Sequence, residues 1–337
     1  MSIIGEGLAT IIILFAWVWG SLAIYIAEPQ PAWWKFVLLV VFILTLPVIY
    51  CQDFIFRDLI FWQKLLLVGS VFALLLTWWI PMKATNDKDW APEVAQTPCG
   101  VIKDGSLVLN NVRNFRYTSR QVFSEKWETR CYNLDQLLTL DIFLSYWKSP
   151  HIAHIIMSWG FADGQFLAIS LETRKDKSQT YSSLKGFFKQ YALVYVAADE
   201  KDLIRLRTNY RNEQVYGYRI KNISLQYKRY LLESYLVHMN KLVGQPEFYH
   251  ALLQNCTAGV SRHYKTFMPK AGWINWRLIA NGHMDKLLYD LGIIETGVSF
   301  EELRAMSRLD LRMQALGENN FSSRLGKGQL WDEVRLA

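Results

Sequence analysis

An α+β domain carried behind an apolar N-terminal anchor is the fold class that this sequence predicts. Three observations predict it: an uneven distribution of charge, a strand–turn–strand pattern with a strong turn signal, and helical periodicity in the last third of the chain. The 337 residues are 51% hydrophobic and 15% aromatic, with a mean hydropathy of +0.06. Residues 1–82 hold only Lys35, Arg57 and Lys64 as bases and Glu6, Glu28, Asp53 and Asp58 as acids. The remainder holds 34 basic and 26 acidic residues, a net of +8. Such a distribution excludes a wholly soluble enzyme, a disordered chain and a fibrous repeat.

The anchor comes first. A bilayer core takes about 20 apolar residues in a helix, within a range of about 17–25. Residues 8–27 are uncharged throughout, residues 33–50 contain only Lys35, which can snorkel, and residues 65–82 carry no charge at all. Trp33, Trp34, Tyr50, Trp78 and Trp79 flank these runs as interfacial aromatics do. Three transmembrane helices are therefore expected within residues 1–82. A cleaved signal peptide would need a basic start and a shorter apolar stretch, whereas the N-terminus here carries Glu6 and no base. The second connection holds Arg57 and Lys64 against Lys35 alone in the first. The positive-inside rule then places residue 1 in the cytoplasm and residue 83 onward outside.

Residues 83–99 are polar, contain Pro92 and Pro98, and read as a linker to a domain spanning 100–337. Strands are expected at 106–109 and, extended, at 111–117. The clearest pair spans 153–173, with Asp163-Gly164 as the turn. Its odd positions are Ile155, Met157, Trp159, Phe161, Leu167, Ile169 and Leu171; its even positions include His154, Ser158, Gly160, Ala168, Ser170 and Glu172. A three-residue loop with Gly164 left-handed keeps odd opposite odd and sets His154 against Glu172; a two-residue loop would reverse the parity. The small polar face, with Ser158, Gly160, Ala168 and Ser170, then leaves room for a substrate or a helix end. Further strands are expected at 192–197, 202–207 and 214–219. Helices are expected at 222–242, capped by Asn222 or Ser224, at 255–267, at 284–291 and at 300–306. The sheet should be small and antiparallel.

No HExxH, paired CxxC, phosphate-binding GxxxxGK[ST], GxGxxG after a strand or GxSxG elbow occurs. No metal or cofactor site is expected. What remains is thiol chemistry. Asn255 can cap a helix whose first residue is Cys256, where unpaired backbone N–H groups favour a thiolate and can hold an oxyanion. His154 is the candidate base and Glu172 the acid that orients it. Each residue also has a plainer reading: a small buried Cys, a structural His, and a Glu paired at the surface with Arg174 or Lys175. Arg205, Arg207 and Arg211 fit either an anionic headgroup or a solvated strand face. Asn111, Arg113 and Asn114 fit either a site lining or an irregular backbone. The positive balance behind a membrane anchor suits acidic lipid, not nucleic acid. Cys99 and Cys131 are available for a disulfide in an exported domain. Nothing in the sequence speaks to oligomeric state.

Taken in order, the stretches from Asn111 to Tyr117, Trp127 to Arg130, Ser149 to Phe161, Glu172 to Arg174 and Asn255 to Thr257 resemble the Lnb N-terminal periplasmic domain family, which contains bacterial lipoprotein N-acyltransferases. The resemblance spans roughly residues 100–330. It implies a circularly permuted, papain-like fold of the NlpC type, with Cys256, His154 and Glu172 as the catalytic set and Asn255, Ser158 and Arg174 in support. It implies a multi-pass inner-membrane protein with a periplasmic domain, a membrane phospholipid as acyl donor and a lipoprotein N-terminus as acceptor. Here the apolar spans precede the domain, whereas the family's acyltransferase carries spans after it. A cell-wall peptidase or amidase with the same three residues, and a non-enzymatic membrane-tethered binding module, are the alternatives.

Overall fold

The computed structural model describes residues 3–28, 33–51, 61–147, 149–221, 223–251 and 276–310. They divide into two compact units. The first holds residues 1–85, 180–192 and 247–251; the second holds the rest.

Among the described residues the first unit holds three α-helices: α1 (Ile3–Ile26), α2 (Trp33–Cys51) and α3 (Phe61–Trp79). Gly20 lets them approach, because a Cβ there would lie 2.6 Å from the Phe42 ring and 2.8 Å from Leu75. Trp17 stacks on Phe42 at 4.3 Å. Away from this seam the helices remain apolar: Phe15, Phe36, Leu66 and Leu74 all face outward. A helix that is hydrophobic all round needs an apolar surrounding. Gly7–Ile26 and Trp62–Trp79 are long and apolar enough to cross a bilayer, and both are mostly exposed, unlike the core helix of a soluble protein; Trp33–Ile49 is shorter. The third helix begins and ends a few residues before the expected 65–82, with Trp78 and Trp79 at its end.

The second unit is mixed α and β. Its strands are β1 (Cys99–Lys103), β2 (Ser106–Arg113), β3 (Arg116–Tyr117), β4 (Phe123–Ser124), β5 (Trp127–Asn133), β6 (Leu137–Tyr146), β7 (His154–Phe161), β8 (Phe166–Arg174), β9 (Ala192–Ala198) and β10 (Gln214–Arg219). Eight of them form one sheet in the order β1-β2-β9-β8-β7-β6-β10, with β5 also paired to β2. The sheet is larger than expected, and the β2–β9 pair is parallel. The expected linker, residues 83–99, is held along the chain from residue 86: Ala91 N–H bonds Lys175 O, and Trp90 and Val94 are buried.

The β7–β8 pair follows the expected register. Ile156 pairs with Ser170 and Ser158 with Ala168, Gly164 N–H bonds Phe161 O at 3.0 Å, and Gly164 has φ +84°. The expected strand at 202–207 is instead helix α4 (Glu200–Arg205) followed by a π-helical turn, Leu206–Tyr210. Its apolar residues suit a strand, but the Asp199 side chain caps Lys201 N–H, and Leu203, Ile204 and Leu206 are buried along the helix and the turn that follows it. Leu203 and Ile204 meet Ile156, Ala168, Val194 and Val196 in the core, while Leu206 packs with Phe115 and Tyr117. The even face of β7 and β8 is therefore covered, not open to a substrate along its length. The odd face packs on helix α5 (Leu225–Gly244), where Trp159 sits edge-on to Tyr235 at 5.4 Å and donates Nε1–H to Lys228 O. Ser224 caps α5. Helices at Met284–Asp290 and Phe300–Met306 follow, close to expectation.

Cys99 and Cys131 are free thiols. Cys99 lies opposite Asn110 on one side of β2 and Cys131 opposite Val108 on the other. Two strand spacings separate them by about 9 Å or more, beyond the about 4.4–6.8 Å between Cα atoms that a disulfide spans.

Candidate functional site

His154 opens β7, and the chain before it is clamped. Asn281 donates to Ala153 O and accepts from Ala153 N–H. Gly282 N–H bonds His151 O at 2.9 Å, and the Tyr146 hydroxyl bonds Gly282 O. A side chain at 282 would strike the backbone of Pro150 at 2.3 Å. His151 meets His283 across 2.9 Å, so it belongs to a different pair.

Glu172 is two residues beyond Ser170 on the same face of β8. The β7–β8 register, continued by two residues, sets it opposite His154, as expected. His154 Nε2 lies 3.1 Å from Glu172 Oε1 and 2.6 Å from Ser170 Oγ. Ser170 in turn donates to Glu172 Oε1 at 2.7 Å. Arg207, 3% exposed, donates Nη2–H to the same oxygen at 2.8 Å. Glu213 completes the group: its Oε2 accepts from the Ser145 hydroxyl at 2.5 Å and lies 3.7 Å from Arg207 Nε. Ser145 is the β6 partner of His154. Burial pushes the Glu172 carboxyl up, but the charges of His154 and Arg207 and the hydrogen bonds of His154 and Ser170 outweigh it and hold the group well below the usual carboxylate range.

This arrangement assigns the two ring nitrogens different work. Nε2 is turned to a carboxylate that only accepts, which favours an Nε2–H imidazole and leaves proton exchange to Nδ1. A base held by an acid in this way suits the activation of a thiol or hydroxyl.

The remaining expected residues fall elsewhere. Cys256 and Asn255 lie outside the described residues. Ser158 donates to Glu200 Oε1 at 2.6 Å and is fully buried beneath α4. Burial pushes the Glu200 carboxyl well above its ordinary range, against the Ser158 bond. Arg174 is not at the site. It bonds Val94 O, Ala95 O and Asn86 Oδ1 and lies over the Trp90 ring; burial brings its guanidinium down to about 10. Lys175 pairs with Glu93. Arg113 is engaged by Asp202 through Nε and Nη2, and Asn114 bonds Glu128, so both serve structure. Ser170 and Arg207 were both named from the sequence, but not as partners of Glu172. Ser170 shared the face of Glu172 and was visible there as a small polar residue; Arg207 was hidden by the strand reading of 202–207.

Residues 123–282 match the family model of the Lnb N-terminal periplasmic domain. The expected resemblance is shown over that stretch, which contains His154, Ser170, Glu172 and Arg207 as well as the sequence positions Asn255 and Cys256. No curated protein and no solved structure matches the chain. Within the matched stretch, the His154–Ser170–Glu172–Arg207 group joins an imidazole to a carboxylate. Among the described residues no group of three or more His, Cys, Asp or Glu is placed to hold a metal.

Proposed function

We propose that this protein is a membrane-anchored periplasmic thiol acyltransferase. The observation that carries the reading is the His154 imidazole, held through Nε2 by Ser170 and Glu172 in a chain whose family match also contains Cys256. Cys256 is the nucleophile in this reading, within a permuted papain-like arrangement in which His precedes Cys. Its thiolate attacks the carbonyl carbon of a phospholipid ester. The C–O bond breaks, and His154 Nδ1 passes its proton to the departing glycerol oxygen, releasing a lysophospholipid. The α-amine of a diacylglyceryl-cysteine lipoprotein then attacks the thioester. His154 takes the amine proton, the C–S bond breaks, and an amide and a free thiolate result. The covalent intermediate divides one hard transfer into two easier steps.

The three apolar helices would act as a multi-pass anchor in the inner membrane, with residue 1 cytoplasmic and the Lnb-type domain periplasmic. The family's periplasmic description and the Arg57/Lys64 bias agree on that orientation. Anchoring keeps the enzyme among its membrane-bound donor and acceptor, raising their effective concentration. A C-terminal alkaline phosphatase fusion should be active and a green fluorescent protein fusion dark. The activity test is mass spectrometry of lipoprotein N-termini in cells with and without the protein. N-acylated termini that vanish on deletion and return with wild type but not Cys256→Ala support the proposal. Unchanged termini together with altered cell-wall peptides would transfer the site to a peptidase.

A further inference from the structure

The π-helical turn behind Glu172 holds a concentration of unused hydrogen-bonding capacity. The Tyr117 hydroxyl and the Nε atoms of Arg205, Arg207 and Arg211 are all buried without a hydrogen-bond partner among the described residues. Buried polar atoms are rarely left unpaired, and an unplaced ion or water is a recurring reason. Two of these side chains are more than nine-tenths buried, Arg207 at 3% and Tyr117 at 6% exposure.

They belong to one neighbourhood. Tyr117 and Tyr210 rings lie 6.3 Å apart, and the Arg205 guanidinium stands 5.3 Å from the Tyr210 ring. Arg211 acts electrostatically on Tyr117 and is itself acted on by Arg207 and Glu172. Phe123 sits 5.2 Å from Tyr117, so rings wall the same place. The charges do not balance. Asp202 takes Arg113. Glu172 takes Arg207. Glu213 is shared at 3.7 Å with Arg207 and 3.9 Å with Arg211. Arg205 has no carboxylate within 4 Å among the described residues. Glu93, which also acts on Tyr117, is taken by Lys175, so the four guanidiniums are left facing three carboxylates, an excess of one positive charge among the described residues. A group with one negative charge and several acceptor oxygens would cancel that excess, and guanidinium edges suit phosphate oxygens.

We propose that Tyr117, Arg205, Arg207 and Arg211 form a binding site for a phosphodiester, the headgroup phosphate of a membrane lipid, beside the His154–Glu172 pair. The assignment of the ligand to a lipid rests on the acyl-transfer reading, because the site would hold the donor's phosphate near the base. Arg207 connects the two functions: Nη2 holds Glu172, while Nε, 3.7 Å from Glu213 but without a hydrogen bond, would donate to the phosphate.

The test uses the full chain in a maltoside detergent and isothermal titration calorimetry. The probes are dihexanoylphosphatidylglycerol below its micellar concentration, dihexanoylglycerol, and inorganic phosphate. The phosphodiester should bind, the neutral glyceride should not, and added salt should weaken binding. Arg211→Gln and Arg205→Gln should each weaken it at least tenfold. Tyr117→Phe removes only an unpaired hydroxyl, so it should leave the melting temperature unchanged and weaken binding severalfold. Equal binding by all variants would overturn the site. Inorganic phosphate binding as tightly as the lipid would overturn the headgroup assignment in favour of free phosphate. Acyl labelling of Cys256 separates this inference from the reading beneath it. Binding lost in the variants with no label on the wild type removes acyl transfer and keeps the anion site. Equal label on the wild type and Arg211→Gln removes the anion site and keeps acyl transfer.

Discussion

Replacing Glu172 by Gln keeps the shape of the side chain and removes its charge. Three donors meet on Glu172 Oε1: Ser170 at 2.7 Å, Arg207 at 2.8 Å and His154 at 3.1 Å. A hydrogen bond with one charged partner contributes about 1.5–3 kcal/mol and a neutral one about 0.5–1.5, so each donor loses roughly 1 kcal/mol. Arg207 keeps Glu213 in reach and Glu172 is 23% exposed, which together bring the expected loss to about 1–3 kcal/mol. The pH dependence follows from the depressed carboxyl. A group whose folded pKa lies below its unfolded value stabilises fully above the unfolded value, about 4.3, and loses that contribution as pH falls further toward the folded value. The loss is about 1.4 kcal/mol per pH unit. Thermal unfolding of the detergent-solubilised full chain, followed by near-ultraviolet circular dichroism, should show the variant melting about 3–10 °C below wild type at pH 7. The gap should narrow steadily as pH falls below about 4.3. A gap that stays constant over this range, or no gap at pH 7, would refute the carboxylate network.

Asp202→Asn leaves Arg113 buried without its charge partner and should cost about 3–5 kcal/mol, read from the same unfolding assay; a loss below about 1 kcal/mol would contradict the buried pair. Glu200→Gln should stabilise the protein at neutral pH. The raised Glu200 carboxyl makes wild-type stability fall as pH climbs above about 4.3, so the variant's advantage should grow with pH and vanish below about pH 4. Gly282→Ala drives a Cβ into the Pro150 and His151 backbone; it should cost about 1–3 kcal/mol and lower activity by displacing the start of β7, measured as melting temperature and acyl labelling together.

Much of the hairpin was legible because two local rules agreed. The Asp163-Gly164 turn placed the bend, and the parity of apolar residues chose the three-residue loop that sets His154 against Glu172; a one-residue slip would have moved Trp159 and Leu167 to the small polar face. A second turn of the same kind was open to the same reasoning: Asp104 and Gly105 both have positive φ, at 49° and 72°, and join Lys103 to Ser106 in a two-residue hairpin that begins β1 inside the expected linker. The helix at 200–205 was not legible from the apolar pattern alone, because Leu203, Ile204 and Leu206 in the six residues 202–207 are too few to separate a strand from a helix. The cap at Asp199 was the deciding signal. Alternation also says which residues share a face but not what lies on it. That is why the even face of the hairpin left room for either a substrate or a helix end, and the start of α4, where Glu200 meets Ser158, takes it; Arg174, which the resemblance put beside the site, holds the segment around Trp90.

The central claim is that Cys256 takes an acyl chain with His154 as its base. The most direct measurement incubates the full chain with radiolabelled phospholipid, quenches in acid and treats the product with hydroxylamine. The account predicts hydroxylamine-sensitive label on wild type, none on Cys256→Ser or His154→Ala, and a reduced amount on Glu172→Gln. Label that persists on Cys256→Ser, or wild type that never takes label under conditions where lipoprotein N-acylation proceeds, would contradict it.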